Sequence, residues 1–269
     1  MTLPQMNTDP ALLTATGISK RFGGVQALAD VGFTIQNGEI YGLIGPNGAG
    51  KTSLFNVLTG IYEADAGTFV FDGRTLDGLK PNDVAARGIA RTFQNIRLFA
   101  NLSALENVMI GRHVRTRAGV FGAMLRNRAT LDEEQAIEKR AFELLGYVGV
   151  ARRANDLARH LAYGDQRRLE IARALATDPK LLALDEPAAG MNATETAALA
   201  KLLRDIRNDG TTILLIEHDM KLVMSLCDRV LVLDYGKKIA EGPAADVQKD
   251  PAVISAYLGG DVALNLKGA

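Results

Sequence analysis

Apolar residues along this chain form short runs that alternate with longer stretches of helical spacing. Some runs are typical of strands buried in a parallel sheet. Others lie beside Asn-Gly and Asp-Gly turn signals, which predicts a small antiparallel sheet. The predicted buried strands are 40–44, 181–184, 211–219 and 229–233, and the predicted antiparallel strands are 12–16, 31–35 and 68–71.

Helical spacing dominates much of the remaining sequence. Strand signals fade after residue 95, and Ala, Leu, Glu and Arg become frequent, which predicts a helical subdomain at about 95–163. Further periodic stretches follow the buried strands, as expected for an α/β fold. The predicted helices are 53–60, 131–145, 166–176, 193–207 and 251–258.

Length and composition narrow the class of protein. A chain of 269 residues can form one large domain with a substantial core. Lys and Arg balance Asp and Glu at 31 each, which argues against a nucleic-acid partner captured by bulk charge. The one cysteine, Cys227, excludes a disulfide framework and favours a reducing compartment.

The two ends are predicted to lie outside the domain, as an N-terminal arm at 1–11 and a C-terminal tail at 259–269. The first residues lack the basic and apolar regions of a secretory signal. No apolar stretch approaches the length that spans a bilayer. Any association with a membrane is therefore expected to go through a partner.

The sequence GPNGAGKT at 45–52 lies between a predicted strand and a predicted helix. It matches G-x-x-x-x-G-K-[ST], a loop whose backbone N–H groups and following helix N-terminus hold phosphate. Its glycines let N–H groups face phosphate oxygens with no Cβ in the way. Lys51 then reaches the terminal phosphates and Thr52 offers its hydroxyl to Mg²⁺, whereas the alternative is an ordinary Gly-rich turn. The predicted nucleotide-binding residues are Gly45, Pro46, Asn47, Gly48, Ala49, Gly50, Lys51, Thr52 and Ser53.

Two adjacent acids, Asp185 and Glu186, follow the predicted strand 181–184 directly. The carboxyl end of a strand is where an α/β sheet places ligand chemistry. Asp185 is therefore the candidate for holding Mg²⁺ through its water shell, and Glu186 is the candidate base for an attacking water. A capped strand-to-helix turn is the alternative for this pair. Gln94 is a neutral amide that can hold a water or a metal ligand near a phosphate.

Three features have both a functional and a structural interpretation. Phe22 lies in a predicted turn, where it either stacks on a purine or packs as an ordinary aromatic. His218 ends a predicted buried strand, where it either hydrogen-bonds a γ-phosphate or serves as a structural histidine. Residues 112–128 carry five arginines and no acid, which makes them either a docking surface or a solvated basic face.

The order and spacing of these motifs resemble the ATP-binding subunits of ABC transporters over residues 12–258. The resemblance implies a P-loop NTPase (ABC ATPase) fold of the α/β class. That fold has a mainly parallel core sheet, an antiparallel β subdomain and an α-helical subdomain that touches membrane subunits. It also implies an ATPase that uses ATP and Mg²⁺. The segments that carry the resemblance are KRFGG, GPNGAGKT, Gln94, LAYGD, LLALDEP, AAGMN and IEHD.

The same resemblance implies a role for each candidate residue. Phe22 is the adenine-stacking aromatic, Gln94 is the Q-loop glutamine and His218 is the switch histidine. Glu186 is the catalytic base, and Lys51 neutralises charge on the transferred phosphate. The implied Mg²⁺ ligands are Thr52, Gln94 and Asp185.

The signature segment departs from the family pattern LSGGQ, because residues 161–165 read LAYGD. In the family this segment closes over the γ-phosphate bound by the opposite subunit, and its serine donates a hydroxyl. Ala162 has no hydroxyl, but backbone N–H groups at Gly164 and the helix N-terminus can still bind phosphate. Asn192 stands where the family usually has aspartate. The nucleotide-binding residues implied in this segment are Ala162, Tyr163, Gly164 and Asp165.

These departures, together with LAYGDQRRLEIAR and TTILLIEHDMKLVM, resemble the LivG-type ATP-binding subunits of branched-chain amino acid importers. The implied partners are a second homologous ATP-binding subunit or a second copy, two membrane permease subunits and a periplasmic solute-binding protein. The implied location is peripheral, at the cytoplasmic face of the bacterial inner membrane, and nucleic acid is not an expected partner.

Several alternatives stay open at this point. Within the same fold, the chain can serve a urea or amide importer or a lipid exporter. A soluble ABC protein outside transport usually has two cassettes or a long coiled coil, and neither is predicted here. A P-loop GTPase is disfavoured because the sequence has no N-K-x-D motif.

Overall fold

The computed structural model describes residues 11–112 and 128–258. The strands are β1 (Leu13–Phe22), β2 (Val25–Ile35), β3 (Ile40–Ile44), β4 (Ala66–Phe71), β5 (Arg74–Thr75), β6 (Ile89–Arg91), β7 (Leu181–Asp185), β8 (Thr212–Ile216), β9 (Arg229–Asp234) and β10 (Lys237–Pro243). The helices are α1 (Lys51–Leu58), α2 (Pro81–Arg87), α3 (Ala104–Arg112), α4 (Arg128–Tyr147), α5 (Tyr163–Leu175), α6 (Ala193–Asn208), α7 (Met220–Leu226), α8 (Ala244–Val247) and α9 (Pro251–Leu258).

The described residues form two compact units. Unit 1 contains residues 11–80 and 206–258, and unit 2 contains residues 81–112 and 128–205. None of the described helices is long and apolar enough to cross a lipid bilayer. Residues 1–10 of the predicted arm, the predicted tail 259–269 and residues 113–127 of the Arg-rich segment lie outside the described residues.

Unit 1 contains a largely parallel set of strands in the order β10-β9-β3-β8. β3 is parallel to both β8 and β9, with Leu43 opposite Ile216 and Ile44 opposite Val232. The strands β3 and β8 are buried along their whole length, as their continuous apolar runs predict. Because these strands are parallel and in register, the residues after Ile44 and after Ile216 emerge at one edge of the sheet.

Unit 1 also contains an antiparallel sheet in the order β2-β1-β4-β5. The predicted strand 12–16 is longer than expected and continues to Phe22, which pairs with Val25. Phe22 therefore ends a strand instead of lying in a turn, and the turn is formed by the two residues after it. Because Gly23 has a positive φ of 57°, this two-glycine turn closes the hairpin directly at the aromatic ring.

Unit 2 combines a short parallel strand pair with helices. β6 pairs with β7, with Ile89 opposite Leu181 and Arg91 opposite Ala183. The residues after Arg91 and after Asp185 therefore leave the pair at the same end. Helix α3 packs against both α4 and α5. The bounds predicted for a helical subdomain, 95–163, stay a prediction.

Candidate functional site

The phosphate loop in unit 1 follows β3 at Gly45, a residue that is buried between the loop and β9. Its φ of 151° lies in the region that favours glycine. A Cβ at this position would overlap the carbonyl oxygen of Leu233 and contact the side chain of Ala49. The backbone closes further on, where the N–H of Ala49 donates to the carbonyl of Pro46 at 3.1 Å. The chain therefore folds into a tight loop that only glycine permits at its first position.

Lys51 is the first residue of helix α1, and its side chain turns back over this loop. Its Nζ donates to the carbonyl oxygens of Gly45 at 2.7 Å and Pro46 at 2.9 Å. The side chain is buried, whereas Thr52 beside it is exposed. The first turn of α1 has no acidic residue, so its N-terminus keeps its positive character. The loop thus presents a fixed cation and a helix N-terminus, an arrangement that suits a polyphosphate.

Phe22 is partly exposed at the end of β1. Its ring meets Tyr62 edge to face, with centroids 5.1 Å apart and planes at 72°. The Nζ of Lys20 lies 5.7 Å from the Phe22 centroid and pairs with Asp65 at 2.7 Å. Tyr62 could not be identified from the sequence, because it follows a turn with no periodic pattern. With 40% of Phe22 exposed, the ring retains free surface that can stack on a planar ligand.

His218 lies just after β8, at the sheet edge where the phosphate loop also emerges from β3. Its side chain is exposed, and Nδ1 lies 3.7 Å from Oε2 of the buried Glu217. Asp219 accepts hydrogen bonds from the N–H groups of Lys221 and Leu222 and so caps helix α7. The capped helix fixes the backbone at His218 and leaves the imidazole facing outward.

Gln94 and Glu186 meet in unit 2. The Nε2 of Gln94 donates to Oε2 of Glu186 at 3.1 Å. Glu186 has a φ of 47°, an unusual value for a residue other than glycine, and such values cluster at functional sites. Asp185 beside it is buried, and its N–H donates to Oγ1 of Thr92 at 3.4 Å. Gln94 and Glu186 lie close together because Gln94 follows the carboxyl end of β6, Glu186 follows that of β7, and these two strands are parallel.

Two arginines flank the ring of Phe93, next to Gln94. The guanidinium carbons of Arg91 and Arg97 lie 4.5 Å and 4.2 Å from its centroid. Burial lowers the pKa of Arg91 to about 10, and the negative charge of Asp185 opposes that shift. Arg91 therefore stays charged at neutral pH and supplies positive potential near the buried carboxylate.

The signature segment forms the start of helix α5. Ala162 is extended and precedes the helix, and no side chain caps this end. Asp165 lies in the first turn, where its charge complements the helix dipole, and its Oδ1 lies 3.9 Å from Nη1 of Arg168. A Cβ on Gly164 would lie 3.2 Å from Oε1 of Glu195. The backbone at Gly164 is thus closely approached by the next helix.

Asn192 and Glu195 form a reciprocal cap at the start of helix α6. The Oδ1 of Asn192 accepts from the N–H of Glu195 at 3.0 Å, and Oε2 of Glu195 accepts from the N–H of Asn192 at 2.9 Å. An asparagine where the family usually has aspartate therefore has a structural use in this chain.

Within each unit, the structure brings several predicted residues together. Unit 1 places the phosphate loop and His218 at one sheet edge, and unit 2 joins Gln94 to Glu186. Sequence reasoning missed a buried pair in α5, Arg167 and Glu170. This pair contacts the backbone of residues 93–97, which we call the Gln94 segment. Arg167 and Glu170 are three residues apart on one face of a predicted helix, which is the signal that could have indicated an ion pair.

Comparisons with known proteins identify the family of this chain. Residues 28–189 match the family model described as ABC transporter, and residues 237–263 match that of the branched-chain amino acid ATP-binding cassette transporter. A curated relative is the high-affinity branched-chain amino acid transport ATP-binding protein LivG of Salmonella typhimurium. It is 45% identical over 92% of this chain and 98% of its own length.

Solved structures share the fold. The ADP conformation of MJ1267, an ATP-binding cassette of an ABC transporter, matches with a TM-score of 0.81 and 31% identity, over 93% of this chain and 99% of that one. A dimeric post-hydrolysis state of the cassette MJ0796, bound to ADP and Pi, matches with a TM-score of 0.73 and 26% identity, over 86% and 98%. These findings confirm the predicted fold class. The chain therefore belongs to the ABC transporter family, as an ATP-binding subunit of the branched-chain amino acid type that couples ATP hydrolysis to transport.

Proposed function

We propose that this chain hydrolyses Mg²⁺-ATP, with the residues described above in specific roles, to power the uptake of branched-chain amino acids. The observation that carries the proposal is the phosphate loop, in which the buried Lys51 ammonium is held by the carbonyls of Gly45 and Pro46. A cation fixed beside a helix N-terminus offers an electrostatic cradle that needs no reorganisation when phosphate enters. The match of residues 237–263 to the branched-chain amino acid cassette model supports the transported substrate.

Binding rests on residues of unit 1. Backbone N–H groups of the loop and the start of α1 hold the phosphates, and Lys51 neutralises charge on the terminal ones. The exposed surface of Phe22 stacks on the adenine, and Tyr62 holds that ring from its edge. His218 lies at the same sheet edge as the loop and hydrogen-bonds the γ-phosphate.

The donors that fit Mg²⁺ are the hydroxyl of Thr52, the carboxylate of Asp185 and the side-chain amide oxygen of Gln94. All three are hard oxygen ligands of the kind that Mg²⁺ prefers. These residues would hold the ion, which would supply positive charge against the negative charge that develops on the phosphate oxygens. Asp185 is buried near the charged Arg91, and its carboxylate would hold the ion through its water shell.

Hydrolysis requires a water in line with the γ-phosphate. Glu186 orients this water and accepts its proton, while oxygen attacks phosphorus and the bond to the β-phosphate oxygen breaks. The amide of Gln94 donates to the Glu186 carboxylate at 3.1 Å. In this position Gln94 orients the carboxylate that takes the proton.

A complete site requires a second ATP-binding subunit, either a homologue or a second copy. The signature segment of one subunit meets the nucleotide held by the loop of the other. Ala162 lacks a hydroxyl, so contact is made by backbone N–H groups around Gly164 and by the N-terminus of α5. The dimeric form of MJ0796 supports this arrangement. An isolated chain is therefore expected to hydrolyse ATP slowly.

The further partners proposed are two membrane permease subunits and a periplasmic solute-binding protein. The chain then lies peripherally at the cytoplasmic face of the inner membrane. Co-expression with candidate permeases should retain the chain on membranes, and reconstituted vesicles should take up leucine. Uptake of urea but not leucine would reject the amino acid substrate in favour of the urea or amide importer, and outward lipid movement would favour an exporter.

A further inference from the structure

A buried ion pair lies inside helix α5. Nη1 of Arg167 lies 2.9 Å from Oε2 of Glu170, and the two side chains are 0% and 1% exposed. Removing two charges from water is costly unless their remaining hydrogen-bonding groups are also satisfied. The partners that satisfy them therefore indicate what the pair holds in place.

Those partners are backbone groups on both sides of Gln94. Arg167 donates through Nη1 to the carbonyl of Phe93 at 2.8 Å and through Nη2 to the carbonyl of Gln94 at 2.9 Å. Oε1 of Glu170 accepts from the N–H groups of Phe93 and Arg97 at 3.4 and 3.3 Å. The planar guanidinium fork reaches two carbonyls at once, which a lysine ammonium cannot reproduce in the same geometry. The pair thus holds the Gln94 segment through its main chain.

Tyr163 connects this pair to the signature segment. Its hydroxyl accepts a hydrogen bond from Nη2 of Arg167 at 3.1 Å. A Cβ added at Gly190 would lie 3.4 Å from Cε1 of Tyr163, so the ring also packs against the turn after β7. Tyr163 is 45% exposed, whereas Arg167 and Glu170 are buried. Of the three, only Tyr163 therefore has surface on which another molecule can act.

We infer that Tyr163, Arg167 and Glu170 are positioning residues, which together form a relay from the start of α5 to the backbone that aims the Gln94 amide at Glu186. A displacement of Tyr163 reorients the Arg167 guanidinium, which is bonded to its hydroxyl. Because the same guanidinium is bonded to the carbonyls of Phe93 and Gln94, these carbonyls shift as well. Nη1 and Nη2 of Arg167 and both carboxylate oxygens of Glu170 are hydrogen-bonded, whereas Nε of Arg167 has no hydrogen-bond partner among the described residues. A buried network with this many hydrogen bonds favours one geometry. This inference rests on the proposed roles of Gln94 and Glu186 in hydrolysis.

The test uses three small changes in the full-length chain: Tyr163→Phe, Arg167→Lys and Glu170→Gln. Matched controls are Arg140→Lys and Glu143→Gln, an Arg–Glu pair of the same spacing that is exposed on α4. Hydrogen exchange followed by mass spectrometry measures the amides of 93–97, and steady-state assays give kcat and KM for ATP.

The relay predicts a local effect. Amides in 93–97 should exchange about tenfold faster in Arg167→Lys and Glu170→Gln, and about threefold faster in Tyr163→Phe, because single hydrogen bonds are lost. Exchange in β3 and β8 should stay unchanged. The turnover number kcat should fall by the same order, KM should stay within about twofold, and the controls should match the native chain.

Two results would overturn the relay. One is an exchange pattern without a local effect at 93–97. Exchange there would be unchanged in all three variants, or it would rise equally throughout unit 2, and the equal rise would indicate general loosening. The other is faster local exchange with native kcat, because positioning would then have no consequence for the reaction. If Arg167→Lys fails to fold, Arg167→Met combined with Glu170→Met removes both charges together, and the relay predicts the same local exchange and loss of kcat.

The failure of the proposed function is recognised separately. If Glu186→Gln and Gln94→Ala both hydrolyse ATP at the native rate, then the catalytic assignment fails whatever the exchange data show. If those two variants are inactive and the three relay variants behave like the controls, then only the relay is wrong.

Discussion

The phosphate loop and the Gln94 segment are held in place by different means. The loop is fixed locally, by bonds from Lys51 to Gly45 and Pro46 and by the tight approach of Gly45 to β9. The Gln94 segment is held by two charged side chains from a distant part of the sequence, Arg167 and Glu170. The loop is therefore preformed by its own hydrogen bonds and by close packing against β9, whereas the Gln94 segment depends on a helix that can transmit a change.

This difference separates binding from hydrolysis in the proposed mechanism. A preformed loop binds the nucleotide without a large ordering cost. A segment held by a buried polar network can be shifted by a partner that contacts the signature segment. Changes to the loop should therefore abolish binding, and changes to the network should mainly affect turnover.

The largest expected effect is at Gly45. Gly45→Ala places a Cβ against the carbonyl of Leu233 at a φ of 151°, so we expect at least about 3 kcal/mol of lost stability and no measurable ATP binding. Gly48→Ala is the matched control, because its φ of 81° is also unfavourable but its Cβ would meet nothing within 4 Å. It should lose only about 1 kcal/mol. Urea unfolding measures the stability of both variants. Equal losses of stability would contradict a specific clash between a Cβ at position 45 and β9.

A second prediction concerns the stability of the buried pair. Arg167→Met leaves the Glu170 charge buried without its partner, which should cost about 3–5 kcal/mol. The double change with Glu170→Met should recover most of that loss. The exposed Arg140→Met should cost under about 1 kcal/mol. If denaturant unfolding gives Arg167→Met and Arg140→Met the same stability, then Arg167 does not anchor the segment.

A third prediction is chemical and reports on unit 1 alone. Burial raises the pKa of the Cys227 thiol to about 12, with nearby negative charges from Asp228 and Glu217 adding to the shift. Because the thiolate is the reactive form, alkylation of the native chain at pH 8 should be about a thousandfold slower than that of an exposed thiol.

The rate should rise about tenfold per pH unit, since each unit raises the small thiolate fraction tenfold. Arg167→Lys should leave the alkylation rate unchanged, and Gly45→Ala should increase it. Rapid alkylation of the native chain would show that Cys227 is accessible.

The parts of the fold that sequence predicts best are those encoded by neighbouring residues. The phosphate loop has its glycines, lysine and flanking elements within one short stretch, and the buried strands have unbroken apolar runs. β6 contains only three residues, too few for a periodic signal. Phe22 was expected in a turn because Gly23 and Gly24 follow it, and pairing with Val25 extends the strand to its position.

The network around Gln94 could not be predicted in full for a physical reason. Its hydrogen bonds join residues more than seventy positions apart, and such pairs leave no local pattern. The spacing of Tyr163, Arg167 and Glu170 places them on one helical face, so the contact among these three side chains could have been predicted from the sequence. Their contact with a backbone segment depends on how α5 packs in unit 2, which only the structure shows.

The role of Glu186 as the catalytic base is tested by ATP binding and turnover measured on Glu186→Gln, with the exposed Glu143→Gln as its control. The amide keeps the size of the side chain but cannot accept the proton of the attacking water. If Glu186 is the base, the variant should bind ATP with native affinity and its kcat should fall by at least about a hundredfold, while the control keeps both values. Steady phosphate release at the native rate from Glu186→Gln would contradict the claim that this carboxylate is the base.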